Sequence, residues 1–350
     1  MPAVRVAING FGRIGRTAFK IAVDKFSDQL EVIAINDLGD PKTLAHLLKY
    51  DSNYGIWKHD IRSDEKGIVI DQKAYEVLNE QEPQNLPWKA LNIDVVIEST
   101  GKFTNADGAK KHLTAGAKKV IISAPVAGLD TSKESEPTFE VAPVKTYILG
   151  VNGTKFSGEE IISNSSCTTN CIAPVAAVVE LKFGIVKAMM TTIHSYTADQ
   201  NLQDGPHKDL RRARGAGQNI VPTSTGAAIS TTETIPELKG LFAGVAIRVP
   251  TPVGSISDFT FLLKRKTTVE EVNNAFKEVA ENPMFSNILA VTDEPLVSSD
   301  IVGRSESAIV DLSLTQVVDG DMVKVFAWYD NEYGYSNRLI EQVINVGRTI

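Results

Sequence analysis

Short apolar runs alternate with segments of helical period through the first half of the chain. The runs occupy residues 4–8, 32–35, 95–97, 120–122 and 147–149, and apolar-periodic stretches stand between several of them. Runs of this length are typical of buried strands, and their alternation with helices is typical of a parallel, doubly wound sheet. We therefore predict an α/β fold for this half.

The first apolar run leads into a glycine-rich turn and then into an apolar-periodic helix. Gly10 allows a tight turn, Gly12 lets the backbone approach a pyrophosphate, and Gly15 permits close packing of the helix on the strand. The helix N-terminus adds unpaired N–H groups and the positive end of the helix dipole. Taken alone, the motif is also compatible with a turn that binds nothing.

Two strand ends favour a Rossmann-type dinucleotide site. Asp37 follows the run at 32–35, where its carboxylate would accept hydrogen bonds from the adenosine ribose and repel a 2′-phosphate. Ser123 follows the run at 120–122, at the carboxyl edge where open α/β sheets bind ligands. Each is also compatible with an ordinary strand end, but together with the glycine turn they predict NAD as cofactor.

The second half has a different pattern. Strand-like runs cover residues 188–193, 245–249, 255–263 and 321–329, and Thr267-x-x-Glu270 is a candidate capping box for a helix beside them. We predict a mixed α+β domain with a largely antiparallel sheet. The segment 339–346 is expected to form a helix that returns to the first domain.

Length and charge exclude several classes of protein. A chain of 350 residues exceeds the usual size of one core. We expect an NAD-binding domain at 1–166 and a catalytic domain at 167–330, with 331–350 packing back onto the first.

The 36 basic and 43 acidic residues give a net charge of −7, which argues against nucleic acid as the main partner. No stretch reaches roughly 18 apolar residues and the start lacks a signal-peptide pattern, so we expect a cytoplasmic protein without a membrane partner.

The only two cysteines, Cys167 and Cys171, are four residues apart. That spacing supports neither a disulfide framework nor the ligand pairs of a structural zinc site, so no metal is predicted. Polar residues at 163–166 predict a helix start, which places Cys167 where the helix N-terminus lowers a thiol pKa. Cys167 is the candidate nucleophile and Cys171 a packed neighbour. A purely structural Cys167 is the alternative.

Candidate partners for the thiol and for an anion lie farther along the chain. His194 ends a strand-like run and opens a long loop at 195–218, as expected of a residue that serves a cleft. Arg248 lies in an apolar strand, where a guanidinium needs an anionic partner. A phosphate on a substrate or a structural carboxylate would each satisfy it.

With these residues in place, the chain resembles phosphorylating glyceraldehyde-3-phosphate dehydrogenase along essentially its full length. The resemblance rests on ordered motifs: NGFGRIGR at 9–16, NDL at 36–38, LKYDS at 48–52, ESTG at 98–101, SSCTTNC at 165–171, HSYT at 194–197, STGAA at 224–228, RVPTP at 248–252 and WYDNEYGYS at 328–336. The cysteine motif is highly specific, and the ordered set is more so.

The resemblance implies a reaction and a set of site residues. Cys167 would form a thiohemiacetal and then a thioester with glyceraldehyde 3-phosphate, with His194 as base and NAD as hydride acceptor, and inorganic phosphate would release 1,3-bisphosphoglycerate. The implied cofactor residues are Gly10, Phe11, Gly12, Arg13, Ile14, Gly15, Asp37, Ser123 and Asn331. The implied residues for the attacking phosphate are Ser166, Thr168, Thr225 and Gly226, and those for the substrate phosphate are Thr197, Arg212 and Arg248. A homotetramer is implied as well.

Some positions depart from the family pattern, and some alternatives stay open. Gln81 replaces a common arginine near the adenine, Gly153 replaces a common histidine, and the segment 127–146 is longer than usual. An erythrose-4-phosphate dehydrogenase, which hydrolyses the thioester, and a non-catalytic NAD-binding sensor or scaffold are the alternative functions. Arg211 and Arg214 compete with Arg212 for the phosphate role.

Overall fold

A computed structural model describes residues 2–126 and 144–350. Most of the longer 127–146 segment therefore lies outside the described residues. The first half contains the strands β1 Val4–Asn9, β2 Leu30–Asn36, β3 Tyr50–Asp51, β4 Gly55–Ile56, β5 Ile61–Ser63, β6 Gly67–Ile70, β7 Lys73–Leu78, β8 Val95–Glu98, β9 Lys119–Ile122, β10 Lys145–Thr146 and β11 Ile161–Ser163. Its helices are α1 Arg13–Lys25, α2 Pro41–Lys49 and α3 Ala106–Thr114, with 3-10 turns at Pro83–Asn85 and Gly153–Lys155.

Nine of these strands form one sheet in the order β10-β11-β9-β8-β1-β2-β7-β6-β5. The strands from β10 to β7 run parallel, and the β5, β6 and β7 edge is antiparallel. β1 and β8 at its centre are almost wholly buried, as expected of a parallel sheet with both faces covered. The predicted doubly wound fold is confirmed.

The second half is built around another sheet. Its strands are β12 Ile185–Ser195, β13 Val221–Ser224, β14 Phe242–Val249, β15 Ser255–Leu263, β16 Leu289–Thr292, β17 Ala308–Asp311, β18 Gln316–Val318 and β19 Met322–Tyr329. Its helices are α4 Cys167–Phe183, α5 Ala227–Thr234, α6 Val269–Ala280 and α7 Tyr333–Gly347, with 3-10 turns at Pro236–Leu238, Pro283–Phe285, Ser298–Ile301 and Leu312–Leu314.

This sheet has the order β13-β14-β12-β15-β19-β17-β16, with β18 paired to β19. Most pairs are antiparallel, whereas β12 with β14 and β16 with β17 are parallel. Along β15 every second residue is buried, so one face of the sheet packs against helices and the other does not. The predicted mixed, largely antiparallel sheet is confirmed.

The last helix, α7, packs on the first sheet rather than on the second. Leu339, Ile340, Val343 and Ile344 belong to the same buried cluster as β1 and α1. A Cβ at Gly347 would lie 2.3 Å from a methyl of Val4, so the end of α7 is in direct contact with the start of β1. The helix predicted at 339–346 therefore forms, begins six residues earlier than predicted, and packs on the first sheet.

Two local predictions were wrong. Residues 147–149 continue no strand, because the amide of Ile148 donates to Asn152 Oδ1 and the chain turns at Gly150, where φ is +80°. The helix α6 is capped by Thr268 rather than Thr267, and its hydroxyl accepts the N–H of Glu271 at 3.2 Å. In both places a side-chain hydrogen bond to the backbone decides where the element stops or starts.

Within the two described ranges, no helix is both long and apolar enough to cross a membrane.

His59 joins two elements of the first domain through carboxylates. Its Nε2 lies 3.0 Å from Asp24 of α1, and its Nδ1 contacts Asp71 at the end of β6. Burial alone would lower the pKa of His59, but the two carboxylates outweigh it and raise that pKa. The charged form is therefore the one that the fold stabilises.

We expect the stabilisation by His59 to depend on pH. Because its folded pKa lies above the unfolded value, the contribution is fully present below the unfolded pKa and is lost as pH rises through the folded pKa. Urea unfolding of the parent and of His59→Gln should therefore show a larger loss of unfolding free energy at pH about 5.5 than at pH about 8.5. An equal loss at both pH values would contradict the assignment.

Candidate active site

Cys167 is the first residue of α4. The preceding Ser166 is the N-cap, and its hydroxyl accepts the backbone N–H of Thr169 at 3.0 Å. Ser165 adopts a φ of +55°, a strained conformation for a residue with a Cβ, and its carbonyl accepts the hydroxyl of Tyr335 at 2.9 Å. The predicted helix start is confirmed, and the polar cluster around the thiol consists of the residues that build the cap.

His194 lies near the end of β12 and faces this thiol. Its Nε2 is 3.4 Å from Cys167 Sγ, within hydrogen-bond range for sulfur. The imidazole is 2% exposed, and its ring meets that of Tyr329 edge to face at 5.9 Å. The two residues proposed from separate motifs are therefore in direct contact in the fold.

The surroundings of His194 Nδ1 decide which ring nitrogen carries the proton. Nδ1 lies 2.7 Å from the carbonyl oxygen of Ser195 and 2.8 Å from Nη1 of Arg248. Arg248 can only donate, and its Nη1 also donates to the Ser195 carbonyl at 3.1 Å, so that oxygen can accept N–H groups from both residues. A proton on Nε2 would instead leave the lone pairs of Nδ1 and of the carbonyl facing each other across 2.7 Å. We therefore assign the proton to Nδ1. The lone pair of Nε2 is then directed at Sγ, as a proton acceptor must be.

Burial opposes a charge on either partner alone. It raises the pKa of the Cys167 thiol, against the effect of the Arg248 guanidinium, and it lowers the pKa of His194 to about 3 with Arg248 acting in the same direction. For the thiol taken alone, burial thus overrides the lowering that the sequence predicted from the helix N-terminus. A proton passed from Sγ to Nε2 instead creates two opposite charges 3.4 Å apart, which stabilise each other.

Arg248 carries unused hydrogen-bonding capacity next to the thiol. Its Nη1 donates to the carbonyl of Ser195 at 3.1 Å, whereas its Nε is buried and has no hydrogen-bond partner among the described residues. Burial lowers the pKa of Arg248. A buried guanidinium with an unsatisfied N–H is suited to bind an anion.

Among the three competing arginines, only Arg212 is directed toward this site. Its Nε donates to Thr223 of β13 at 2.9 Å, and its charge acts on the pKa values of His194 and Arg248. Arg214 instead forms an exposed ion pair with Asp204 at 2.7 Å, and Arg211 is exposed. The hydrogen bond to β13 therefore distinguishes Arg212 from Arg211 and Arg214, which the sequence alone could not do. Arg212 also pairs with Asp199, so any anion would compete with that carboxylate.

Tyr329 is a functional candidate that sequence reasoning missed. Its hydroxyl lies 3.0 Å from Thr168 Oγ1 and 2.7 Å from Thr192 Oγ1, and the side chain is 1% exposed. Thr168, one of the implied phosphate residues, is thereby held by the end of β19. The WYDNEYGYS motif contained the signal, since Tyr329 stands two residues before Asn331.

The remaining implied phosphate residues lie in the loops that follow β12 and precede α5. Thr197 lies two residues after β12, and Thr225 and Gly226 precede α5. Gly226 is the N-cap of α5 and provides no side-chain cap, so the N–H groups of Ala228 and Ile229 in the first turn remain for another acceptor. Thr225 Oγ1 accepts the N–H of Ala227 at 3.2 Å.

The glycine turn between β1 and α1 fits a dinucleotide. Gly10 has a φ of +95°, and a Cβ at Gly15 would lie 2.1 Å from the carbonyl oxygen of Gly10, so both positions require glycine. A Cβ at Gly12 would meet nothing within 4 Å, which leaves the turn open above the helix. The N-cap of α1 provides no side-chain hydrogen bond, so the N–H groups of Arg13 and Ile14 face that space.

Other implied cofactor residues surround this turn. The carboxylate of Asp37 accepts the N–H of Phe11 at 2.7 Å and that of Gly39 at 2.8 Å, so it is fixed beside the turn. Ser123 directly follows β9 at the carboxyl edge of the sheet. The guanidinium of Arg13 pairs with Asp51 and Glu332, so its backbone rather than its side chain is free for the pyrophosphate.

Asn331 connects the two halves of the site. Its Oδ1 accepts the N–H of Gly254 at 3.1 Å and the hydroxyl of Ser255 at 3.0 Å. The hydroxyl of Ser255 in turn accepts the N–H of Ser195, the residue whose carbonyl contacts His194. Because Oδ1 is occupied, the amide NH₂ is the group left to donate to a ligand.

Cys171 is fully buried one turn deeper in α4, in the core of the second domain. Its location matches the predicted packed neighbour, and burial raises the pKa of its thiol. Both cysteines are free thiols. In the part of the chain that the structure describes, no group of three histidine, cysteine or acidic residues is arranged to hold a metal.

Comparison with known proteins assigns relatives to both halves. Residues 4–106 match the family model of the glyceraldehyde 3-phosphate dehydrogenase NAD-binding domain, and residues 166–331 match that of the C-terminal domain. Glyceraldehyde-3-phosphate dehydrogenase of Streptomyces coelicolor is 48% identical over 349 residues, with 99% of each chain covered. The Mycobacterium tuberculosis protein of that name is 52% identical over 353 residues, again with 99% of each covered, and glyceraldehyde-3-phosphate dehydrogenase 2 of Trichormus variabilis is 50% identical with 97% of each covered.

We expect His194→Asn to shift the reactivity of Cys167 to higher pH. Without the imidazole, the thiolate loses the positive partner that offsets its burial, so iodoacetamide should alkylate the variant about tenfold more slowly at neutral pH. The rate should be measured against pH for both proteins. His46→Asn, on the exposed part of α2, is the control and should follow the parent curve. Identical curves for all three would show that His194 does not assist the thiol.

Proposed function

Since the chain belongs to the glyceraldehyde-3-phosphate dehydrogenase family, and is an NAD-dependent oxidoreductase, we propose that it oxidises glyceraldehyde 3-phosphate with inorganic phosphate to 1,3-bisphosphoglycerate. The observation that carries this proposal is the contact between Cys167 Sγ and His194 Nε2 next to the partly unsatisfied guanidinium of Arg248. In metabolism the reaction serves glycolysis or gluconeogenesis.

NAD would be held along the carboxyl edge of the first sheet. The open turn at Gly12 and the N–H groups at the start of α1 suit the pyrophosphate, and the fixed carboxylate of Asp37 suits the ribose. Ser123 and the free NH₂ of Asn331 suit the nicotinamide end. When bound, NAD supplies the hydride acceptor of the reaction.

Cys167 and His194 perform the covalent chemistry. The thiol gives its proton to His194 Nε2 as sulfur attacks the aldehyde carbon, and the imidazolium returns that proton to the former aldehyde oxygen, which completes a thiohemiacetal and regenerates the neutral base. The same imidazole then accepts the hydroxyl proton of the thiohemiacetal as the hydride departs, which leaves a thioester on sulfur. The carbonyl of Ser195 supports both steps, because it holds the Nδ1 proton and thus keeps the lone pair of Nε2 directed at the reacting atoms.

Two anion sites complete the reaction. Arg248, Arg212 and Thr197 would bind the phosphate of the substrate, and the charge of Arg248 also supports the thiolate. The second anion is inorganic phosphate, whose oxygen attacks the thioester carbon and displaces the Cys167 sulfur as a thiolate beside the protonated His194. Its proposed site consists of the hydroxyls at the start of α4 and the uncapped start of α5, namely Ser166, Thr168, Thr225 and Gly226.

The outer face of the second sheet supports a homotetramer. We define this face by Met189 of β12, Val245 of β14 and Val318 of β18, which are 69%, 52% and 60% exposed. Exposed apolar residues on one face of a sheet are typical of an association surface.

The domain division and the cellular location are also proposals. We place the NAD-binding domain at 1–166, supported by the carboxyl-edge turn at Ser165, and the catalytic domain at 167–330. The segment 331–350 packs on the first sheet through α7. A cytoplasmic location is supported by two unpaired thiols, which a reducing compartment maintains.

We expect the purified protein to reduce NAD in the presence of glyceraldehyde 3-phosphate and inorganic phosphate. Formation of NADH should be followed by absorbance with and without phosphate, because only thioester phosphorolysis requires it. Turnover that is independent of phosphate and prefers erythrose 4-phosphate would contradict the proposal. NAD binding without any turnover would favour a sensor or scaffold.

Two cysteine variants form a matched control for this assay. Cys167→Ser should lose roughly 10⁴-fold in turnover, since it removes the nucleophile. Cys171→Ser should keep turnover within about threefold, because it changes a buried neighbour that touches no reacting atom. Equal losses in both variants would indicate damage to α4 rather than loss of a nucleophile.

We expect the protein to have a mass in solution about four times that of its 38.0 kDa chain, measured by light scattering after size exclusion. Met189→Lys with Val245→Lys should yield smaller species, because the interface would then bury unpaired charges. Leu181→Lys, at an 80% exposed position of α4 away from this face, is the control. A monomeric parent, or an unchanged mass in the double variant, would contradict the assignment.

A further inference from the structure

A buried polar network that the proposed reaction does not use lies beneath the glycine turn. It consists of Trp88, His112, Glu98, Asn9 and Asn36, all of which are buried, and both side chains of the His112–Glu98 pair are wholly inaccessible. Burying so many polar groups is costly unless each finds a partner. The network therefore calls for a physical explanation.

The position of every proton at its centre follows from the partners. Trp88 Nε1 lies 2.9 Å from His112 Nδ1, and because an indole N–H can only donate, Nδ1 accepts. The ring proton is therefore on Nε2, which donates to Glu98 Oε2 at 3.0 Å. Trp88 thus fixes the tautomer of His112, and the tautomer directs a donor at Glu98.

Glu98 is the acceptor on which the network converges. Its Oε2 also accepts Asn9 Nδ2 at 2.6 Å, and its Oε1 accepts the backbone N–H of Thr100 at 2.9 Å together with the hydroxyl of the same residue. Donors from these four groups therefore converge on the two oxygens of the Glu98 carboxyl group. A buried carboxylate held in this way is sensitive to the loss of any one donor.

The network is in direct contact with the glycine turn. A Cβ built at Gly10 would lie 2.6 Å from the backbone nitrogen of Thr100, so the turn rests directly on the residue that Glu98 holds. The hydroxyl of Ser99 donates to the carbonyl of Gly10 at 2.7 Å. On the other side, the N–H of Gly10 donates to the carbonyl of Asn36, whose side chain donates to Asn9 Oδ1 at 2.7 Å.

We propose that Trp88, His112 and Glu98 are positioning residues for NAD. Glu98 fixes the position of the Thr100 backbone, against which the Gly10 turn packs. His112 in turn fixes Glu98, and the hydrogen bond from Trp88 determines which nitrogen of His112 carries the proton. The inference depends on the proposed location of the dinucleotide at this turn. Loss of the His112 donor displaces the turn and weakens NAD binding, while the chemistry at Cys167 stays intact.

The test compares two replacements of His112. His112→Phe removes both polar atoms, and the dissociation constant of NAD, measured by calorimetric titration of cofactor-free protein, should rise about tenfold. His112→Gln keeps one acceptor for Trp88 and one donor for Glu98, and should restore the affinity to within about threefold of the parent. At saturating NAD the turnover number, and without NAD the rate of Cys167 alkylation, should equal those of the parent in both variants.

A pair of tryptophan variants provides the matched control. Trp88→Phe removes the donor that fixes the tautomer and should weaken NAD binding in the same direction. Trp57→Phe loses a comparable bond, from Nε1 to Asp24 at 2.9 Å, on another side of the domain, and should keep the parental affinity. If His112→Phe fails to fold, this pair decides the question.

Specific outcomes would overturn the proposal. Parental affinity for NAD in His112→Phe or Trp88→Phe, with only a lower urea midpoint, would show that the network is purely structural. A slower alkylation of Cys167 at unchanged NAD affinity would also overturn it. A parent that binds NAD but does not oxidise glyceraldehyde 3-phosphate would contradict the proposed function alone, whereas a parent that binds no NAD would overturn both.

Discussion

The contact between Cys167 Sγ and His194 Nε2, at 3.4 Å, is the constraint on which the rest of the site depends. Burial disfavours a charge on either atom alone, so the reactive pair can form only if both partners are held in register. The fold does this with rigid elements: the capped start of α4 carries sulfur, and the central strand β12 carries the imidazole. The strained φ of Ser165 is retained where the chain enters that helix.

Hydrogen bonds extend this constraint from the thiol to the cofactor side. The carbonyl of Ser195 orients His194, the amide of Ser195 binds Ser255, and Ser255 binds Asn331. Because Oδ1 of Asn331 is occupied, its NH₂ is the group available for the proposed contact with the nicotinamide. A continuous series of hydrogen bonds therefore connects His194, the base, to Asn331, the residue proposed to orient the hydride acceptor. Every residue in this series is buried.

The glycine turn, where we propose that NAD binds, is held in place by different kinds of interaction. At the glycine turn, steric exclusion dominates, because neither Gly10 nor Gly15 can accept a Cβ. Beneath it, the carboxyl group of Glu98 is held by several hydrogen-bond donors, which makes the position of the turn depend on satisfied hydrogen bonds. Ion pairing is used instead at the start of α1, where Arg13 joins Asp51 and Glu332 and so ties the turn to the C-terminal segment.

Local signals in the sequence determined the features that depend on neighbouring residues. The glycine turn, the buried strands, the helix start at Cys167 and the different environments of the two thiols all follow from short-range sterics, capping and periodicity. Contacts between distant segments were decided only by the tertiary structure. Strand β13 distinguishes Arg212 from Arg211 and Arg214, the end of β19 brings Tyr329 to Thr168, and the packing of α3 brings His112 to Glu98. Sequence spacing carries no information about these pairs, because their distances are set by how whole elements pack against one another.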